Sequence, residues 1–321
     1  MIEIKPSFYN EFKCTADKCS DSCCVGWEIV VDEKTKNKYK SFGTDFGRKI
    51  CDSLIEDEDG DICFKLDERE RCPFLNSENL CDIIINCGDE SLCDICSEHP
   101  RFYNEFSFCT ECGLGLCCEE VCRLLLEDEA PLEFIMSDDG AEEEDDEFYR
   151  DLYEIRELIY DVLKNDCQYN NKLEKIVELV EKEYGCSIKI AGYDEILRLY
   201  KETEPINEEW TQYISLLVDN AEEYLKKEKP FDIATNGGNM YSKILAYIIF
   251  RNLSEVACYK NEGFCETLAF CIESVRFIKL CDIKTFCEKG TLTIRDRINN
   301  LKNWSKQIEY SDVNKDKLIF K

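Results

Sequence analysis

Long apolar runs are absent from this 321-residue chain. The longest candidate, residues 244–250, has seven positions, whereas a helix needs roughly 18 apolar residues to cross a bilayer. The first residues, MIEIKPSFYNEFK, also lack the apolar core and the small-residue cleavage site of a secretory signal. These two absences predict a cytoplasmic protein with no membrane partner.

Basic residues are scarce, above all in the first half of the chain. The formal net charge is −29, of which residues 1–150 carry −24 and the remainder −5. A surface this negative repels phosphate backbones, so the composition argues against nucleic acid and anionic membranes as partners. It would attract a cationic substrate such as a lysine-bearing peptide, although a solubilising or salt-adapted surface is the simpler explanation.

Two kinds of site lack their usual residues. Histidine occurs once, at His99, where the spacing C-x2-C-x2-H would allow metal binding but a local hydrogen-bonding role is favoured. No predicted strand is followed by the G-x-G-x-G loop of Rossmann-like methyltransferases. Gly113 and Gly115 are interpreted instead as part of a turn before a helix, so no cofactor loop is assigned.

Cysteine is the residue that the chain has in excess. It occurs 23 times, an odd count, and 16 of these lie within residues 1–122. The chain shows no export signal, and the vicinal pairs Cys23-Cys24 and Cys117-Cys118 would reach disulfide geometry only with strain. Metal or iron–sulfur ligation is therefore the better explanation. The short spacings that a thiolate site requires occur in CTADKCSDSCC (14–24), CPFLNSENLC (72–81), CDIC (93–96) and CTECGLGLCCEEVC (109–122).

The apolar pattern predicts a mainly α fold in three parts. These are a Cys-rich, metal-stapled domain with short strands (1–130), an acidic linker or loop (131–147) and an all-α domain (148–321). The run SDDGAEEEDDE, residues 137–147, cannot form a core. After it, apolar residues recur at helical spacing, and the seven later cysteines, such as Cys271, are predicted to be small core residues.

Individual elements are predicted from the same pattern. A strand is expected at Glu28–Asp32 and a helix from about Glu119. In the second half, helical spacing begins near Leu152 and Leu173, with Gly185 as a stop, and a helix capped by Asn207 is expected to end at Pro230. Further helices are predicted at 239–258, 263–280 and 292–304.

The ordered set of motifs resembles the flagellin lysine-N-methylase family. The similar elements are C-x4-C-x3-CC-x-GW, CPFLNSENLC, L-x-x-x-C-x-x-x-PR (92–101) and LGLCCEE-x-x-RLLL, and the resemblance continues into the helical half, in YEIRELIYDVL and YSKILAYIIFRNL. The N-terminal part is also similar to the broader CxxCxxCC zinc- or iron-chelating domain. The set is more specific to the family than to the substrate.

The resemblance implies an S-adenosylmethionine-dependent protein lysine N-methyltransferase that acts on flagellin and carries a Cys-ligated iron–sulfur cluster, expected to be 4Fe-4S. By motif position its metal ligands are Cys14, Cys19, Cys23, Cys24, Cys72, Cys81, Cys96 and Cys118. One four-iron cluster uses three or four of these thiols, whereas two mononuclear sites, or a cluster and a second metal, would use all eight. The ligand role is less secure for Cys87, Cys93, Cys109, Cys112, Cys117 and Cys122.

Other roles stay open at this stage. Arg101 either binds the cofactor carboxylate or pairs with one of the nearby acids. Methylation needs a neutral lysine amine, so the site must desolvate the amine or supply a base, but the sequence singles out no catalytic residue. The alternative function is a non-enzymatic zinc- or iron-chelating module fused to a helical interaction domain.

Overall fold

A computed structural model describes residues 2–57, 60–107, 109–137, 147–185, 187–235, 237–254, 256 and 263–321. Within them the chain is mainly helical with a few short strands, as predicted. The strands are β1 (Ile2–Pro6), β2 (Leu54–Glu56), β3 (Ile62–Phe64), β4 (Arg101–Glu105), β5 (Cys109–Leu114) and β6 (Phe134–Ser137). No helix of the described ranges is long and apolar enough to span a bilayer.

The helices become longer after residue 147. They are α1 (Glu33–Ser41), α2 (Asp45–Asp52), α3 (Asp82–Cys87), α4 (Asp94–Glu98), α5 (Glu119–Glu127), α6 (Glu147–Lys164), α7 (Tyr169–Tyr184), α8 (Tyr193–Lys201), α9 (Glu208–Asp219), α10 (Ala221–Leu225), α11 (Glu228–Thr235), α12 (Gly238–Asn252), α13 (Phe264–Lys289), α14 (Ile294–Ile308) and α15 (Asp312–Ile319). In the part of this region that the structure describes, no strand follows Ser137, which confirms the all-helical prediction.

The backbone forms two compact units. The thiol unit comprises Lys13–Phe102 and Cys118–Glu120, and the helical unit comprises Met1–Phe12, Tyr103–Cys117 and Val121–Lys321. The predicted division at 130 and 148 stays a prediction. The compact units use other ranges because β1 pairs with β5 and β6 within the helical unit.

The helical unit contains a four-stranded sheet in the order β4-β5-β1-β6. Strand β1 runs parallel to β5, with Ile4 opposite Glu111, and antiparallel to β6, with Ile4 opposite Met136. Helix α13 is buried along most of its length and packs on α12, which in turn packs on α6. A helix that is apolar on most faces belongs at the centre of a bundle.

Local signals account for several helix ends. The Asn207 side chain accepts a hydrogen bond from the Trp210 N–H at 2.8 Å, as predicted for a cap. Gly185 follows α7 in the left-handed conformation, with φ 66°, which glycine adopts without strain. The prediction that Pro230 ends the helix from Asn207 was wrong. That helix ends at Asp219, and Pro230 lies in the first turn of α11, where its missing N–H costs nothing.

Other predictions were corrected or lie outside the described residues. Glu28–Asp32 forms a single bridge, Val30 to Cys63, rather than a strand. Helix α5 begins at Glu119 as predicted. Most of the acidic run, 138–146, is outside the described residues. Cys271 and Cys281 are buried as predicted, but the core prediction was wrong for Cys287, which is exposed, and Cys167 is only half-buried. Cys265 is disulfide-bonded, which the core prediction did not include.

A buried ion network holds the sheet of the helical unit to α6. The Glu111 carboxylate, on β5, is completely buried and accepts hydrogen bonds from the Tyr149 hydroxyl at 2.7 Å and from the Arg156 guanidinium and Ser254 hydroxyl. Arg156 also donates to Ser254 at 3.1 Å. Because both charges lie away from water, each depends on the other for compensation.

Candidate metal centre

The front cysteines reach the second group through backbone pairing. The Cys72 N–H donates to the Cys24 carbonyl at 2.9 Å, and the Gly26 N–H donates to the Glu70 carbonyl at 3.0 Å. Val25 forms an antiparallel bridge with Arg71 between these bonds. This short ladder places Cys24 beside Cys72, although the two are far apart in sequence.

The segment CPFLNSENLC folds into a closed turn. Leu75 bridges to Cys81, and the Asn76 side chain accepts hydrogen bonds from the N–H groups of Glu78 at 2.9 Å and Leu80 at 3.0 Å. An asparagine that bonds its own backbone in this way fixes a tight turn. The two ends of the segment, Cys72 and Cys81, therefore lie on the same side of the core.

The C-x2-C pair lies at the start of α4. Cys93 precedes the helix, and the Cys96 N–H donates to the Cys93 carbonyl at 3.0 Å. The hydrogen bond between the two thiols lowers the pKa of Cys93 and raises the pKa of Cys96. This arrangement matches a thiolate that accepts a hydrogen bond from a neighbouring thiol.

These three pieces bring five cysteines into one group. The thiol cluster consists of Cys24, Cys72, Cys81, Cys93 and Cys96, which pack with one apolar core that also contains Phe74. Cys72 and Cys93 are buried and the other three are half-buried. After the Cys93 hydrogen bond and burial, thiolates at Cys24 and Cys72 would raise the pKa of Cys96 further. After burial, thiolates at Cys81 and Cys93 would do the same for Cys72. Burial raises the pKa of Cys72 to about 11.

The other four predicted ligands lie in varied surroundings. Burial is the main cause that raises the pKa of Cys81, and nearby Cys23, which is exposed, adds to this rise. Cys14 is exposed, and its sulfur accepts from the Ala16 N–H at 3.4 Å. The Cys19 sulfur lies 4.0 Å from the Glu119 carboxylate, which also accepts from the Ser20 N–H at 3.0 Å. Because Glu119 follows Cys118, this contact brings the backbone near Cys118 to that near Cys19.

A second set of donors was missed by the sequence analysis. Oxygen atoms of Glu28 and Asp57 and the sulfur of Cys63 all lie within 4.8 Å of one another and form a possible metal-binding triad. Hydrogen bonds from Val31 N–H to Ile62 and from Phe64 N–H to Ile29 align these segments. No spacing in the sequence predicts the triad, because Glu28, Asp57 and Cys63 come from three separate segments. Cys93, whose ligand role was less secure, could have been identified as a ligand from its C-x2-C spacing with Cys96.

The spacing of the thiol cluster bears on the kind of metal. With bonds of ~2.3 Å, one tetrahedral ion holds its sulfurs about 3.8 Å apart. Among the described residues, the triad is the group of three or more Cys, His, Asp or Glu side chains whose ligand atoms all lie within 4.8 Å of one another. The sulfurs of the thiol cluster do not meet this limit as a group. The thiol cluster is therefore more open than a single ion requires.

His99, Trp27 and Arg101 lie near this region in the chain. The Trp27 ring meets the His99 ring edge-on, with centroids 5.0 Å apart, and the Trp27 indole N–H donates to the Cys23 carbonyl at 2.6 Å. Trp27 thus packs against the apolar core that holds the thiol cluster. Arg101 is half-buried at the start of β4, and its cofactor role stays a prediction.

The two glycines of the GxG sequence have structural roles in the helical unit. Strand β5 ends at Leu114, where the Tyr247 hydroxyl donates to the Leu114 carbonyl at 2.6 Å and accepts from its N–H at 2.7 Å. A Cβ at Gly115 would overlap the Tyr310 hydroxyl. Gly113 therefore lies in strand β5 rather than in the predicted turn, and the Tyr310 side chain fills the space beside Gly115.

We expect the buried thiols of the metal-free protein to resist alkylation. Burial is the main cause that raises the pKa of Cys63 to about 12, so at pH 8 its thiolate fraction is about 10⁻⁴. Iodoacetamide should label exposed Cys14 first, and labelling of Cys63 should rise about tenfold per pH unit between pH 8 and 11. Peptide mass spectrometry on protein shown to be folded by circular dichroism measures both rates. Equal rates at Cys14 and Cys63 at pH 8 would contradict the described burial.

Comparison with known proteins finds similarity to a flagellar protein and to lysine-N-methylases. No family model and no solved structure matches the chain. Over 131 residues, 39% of this chain, it is 32% identical to flagellar biosynthetic protein FliU of Salmonella muenchen, and the match covers 76% of that relative. Over the same length it is 30% identical to the lysine-N-methylases of Salmonella typhimurium and Salmonella choleraesuis, of which the match covers 32%. The match thus spans about a third of those two proteins. The chain belongs to the family of flagellar biosynthetic protein FliU and is related to the lysine-N-methylases.

Proposed function

We propose that this chain is an S-adenosylmethionine-dependent lysine N-methyltransferase that acts on flagellin and carries a thiolate-bound iron–sulfur cluster. The observation that carries the enzymatic part is the similarity to two proteins named lysine-N-methylase. The flagellar substrate rests on the similarity to FliU. The acidic thiol-bearing half of the chain would favour the approach of a lysine side chain.

The thiol cluster fits an iron–sulfur centre. Its five sulfurs come from the three segments 24, 72–81 and 93–96, so one bound cluster would join all three. The family resemblance also implies Cys24, Cys72, Cys81 and Cys96 as ligands. Cys72, Cys81 and Cys96 would bind with either Cys24 or Cys93 as the fourth ligand. When bound, such a centre supplies electron transfer or an open iron that holds a substrate group. The chain itself contributes the apolar packing around the sulfurs.

Methyl transfer to lysine requires that the amine lose its proton before it attacks the methyl group. An ammonium group has no lone pair, and its ordinary pKa near 10.4 leaves few neutral amines at pH 7. The protein must therefore desolvate the lysine or accept its proton. We assign no residue to this step.

The enzymatic proposal is tested by methyl transfer to flagellin. We expect the anaerobically purified chain, incubated with S-adenosylmethionine and unmethylated flagellin, to add methyl groups to flagellin lysines, as seen by peptide mass spectrometry. Flagellin whose surface lysines have been acetylated is the control and should gain none. Methyl groups on other residue types, or equal gain without S-adenosylmethionine, would contradict the proposal.

A non-enzymatic metal-binding module is the second candidate. It is favoured by the coverage of the relatives, because the match includes most of FliU but only about a third of each lysine-N-methylase. In that case the chain would hold metal and bind a flagellar protein but transfer no methyl group. Absence of methyl transfer by a folded, metal-loaded chain would select this candidate.

A further inference from the structure

A small cavity in the helical unit contains a buried cation. It measures about 50 Å³ and lies between the segment before β6, α6 and α12. By the same measure one water needs roughly 10–15 Å³, so the cavity has room for about four water-sized groups. Leu132, Leu163 and Ala246 give it apolar walls, and Lys243 brings an ammonium group. A cofactor of drug size, which needs about 300 Å³ or more, does not fit.

Among the residues that the structure describes, no carboxylate lies within ion-pair distance of Lys243. Its side chain is buried, and its amine donates to the backbone carbonyl of Asp128 at 2.6 Å. The Asp128 carboxylate instead accepts from the Ala130 N–H at 2.9 Å. Two of the three ammonium protons on Lys243 are thus left for another acceptor. Burial lowers the pKa of Lys243, in the direction expected for a cation without a close counter-ion.

A second buried lysine, Lys172, lies close to the cavity, and its ammonium group also has only uncharged hydrogen-bond partners. Lys172 donates to the Leu163 carbonyl at 2.7 Å and to the Ser242 hydroxyl at 3.1 Å, and both of these partners belong to residues that line the cavity. Neither partner is charged. Lys172 therefore adds positive potential to the cavity without neutralising Lys243.

Two other buried lysines of the same unit are paired with carboxylates. Lys279 lies 2.9 Å from Glu228 and from Asp232, and Lys284 lies 2.9 Å from Glu288. At the cavity rim Lys164 is paired with Glu133 at 2.7 Å. Among the described residues, Lys243 lies further from a carboxylate than these lysines do, and the effect of Asp128 on its pKa is smaller than that of burial. Buried charges require compensation, and a bound anion would supply it.

We propose that this cavity binds a small monocarboxylate, with the carboxylate on Lys243 and the alkyl part against the apolar walls. The size limits the ligand to about four or five heavy atoms, as in acetate or propionate. A phosphate ion has no alkyl part to use the walls and more oxygens than Lys243 can satisfy. Glu129 also lines the cavity, and its side chain is exposed to solvent.

The test measures thermal unfolding of the full chain with sodium propionate against sodium chloride at equal ionic strength. We expect a saturable rise of about 3 °C in the midpoint at tenfold excess over the Kd. Lys243→Met should remove this rise, whereas Lys182→Met, which changes an exposed lysine, should keep it. No saturable rise in the wild type, an equal rise in Lys243→Met, or a rise with sodium phosphate and none with propionate would each overturn the proposal.

A second measurement needs no variant. We expect propionate to protect Lys243 of the wild-type protein from acetylation by an N-hydroxysuccinimide ester, as seen by peptide mass spectrometry, while modification of Lys182 is unchanged. If Lys243→Met does not fold, this comparison still decides the matter. Unchanged modification of Lys243 at a saturating propionate concentration would refute binding at this position.

Discussion

Replacing Cys96 with serine is expected to remove the bound metal and abolish methyl transfer. The Cys96 thiol is hydrogen-bonded to Cys93, and Cys24 and Cys72 are close enough to affect the pKa of Cys96 electrostatically. The Cys96 sulfur therefore lies among the sulfurs of three other cluster members. Loss of a residue that only orients a ligand already costs 10–100-fold in metal affinity. Loss of a ligand itself should cost more than about 100-fold. Metal analysis and the flagellin assay on the same sample measure both effects.

The matched control is Cys271→Ser in the helical unit. Cys271 is completely buried, and its thiol donates to the Ile248 carbonyl at 3.8 Å, a bond that a serine hydroxyl can replace. We expect normal metal content and activity, with a loss of about 1 kcal/mol in the free energy of unfolding. Circular dichroism shows whether Cys96→Ser has merely unfolded the thiol unit. A folded Cys96→Ser protein with wild-type metal and activity would contradict the proposed ligand set.

The second large effect is expected from Arg156→Met. This change leaves the Glu111 carboxylate buried without its cation, which typically costs 3–5 kcal/mol of unfolding free energy. Arg198→Met breaks an exposed pair with Glu202 and should cost no more than about 0.5 kcal/mol. Guanidinium chloride unfolding compares the two. Adding Glu111→Leu to Arg156→Met should recover most of the loss, and equal costs for the two single variants would show that the network does not hold the sheet to α6.

Local signals in the sequence were sufficient to predict most of the helical half. Asn207 capped its helix and Gly185 ended one as expected, because both act through their own backbone neighbours. The prediction for Pro230 failed because the sequence does not distinguish a proline in the first turn of a helix from one that follows a helix. The strand predicted at Glu28–Asp32 failed because a strand requires continuous pairing, and this segment forms only one bridge, Val30 to Cys63, with two flanking hydrogen bonds.

The candidate site was only partly predictable for a similar reason. Spacing identified which cysteines belong to short turns, and the thiol cluster includes Cys24, Cys72, Cys81 and Cys96 from the predicted set. Spacing could not show that the Cys24 carbonyl pairs with the Cys72 N–H, since that contact is long-range. The sequence could not predict the triad of Glu28, Asp57 and Cys63 for the same reason. Nor could it predict that the charge of Lys243 would be buried without an ion pair. Both depend on what the fold brings together.

The metal content of the anaerobically purified wild-type chain tests the central claim most directly. If the thiol cluster holds an iron–sulfur centre, the protein should be brown, with broad visible absorption, and should contain about four irons and about four acid-labile sulfides per chain. A colourless, folded protein with stoichiometric zinc and no sulfide would contradict the account and leave the metal-binding module as the better description.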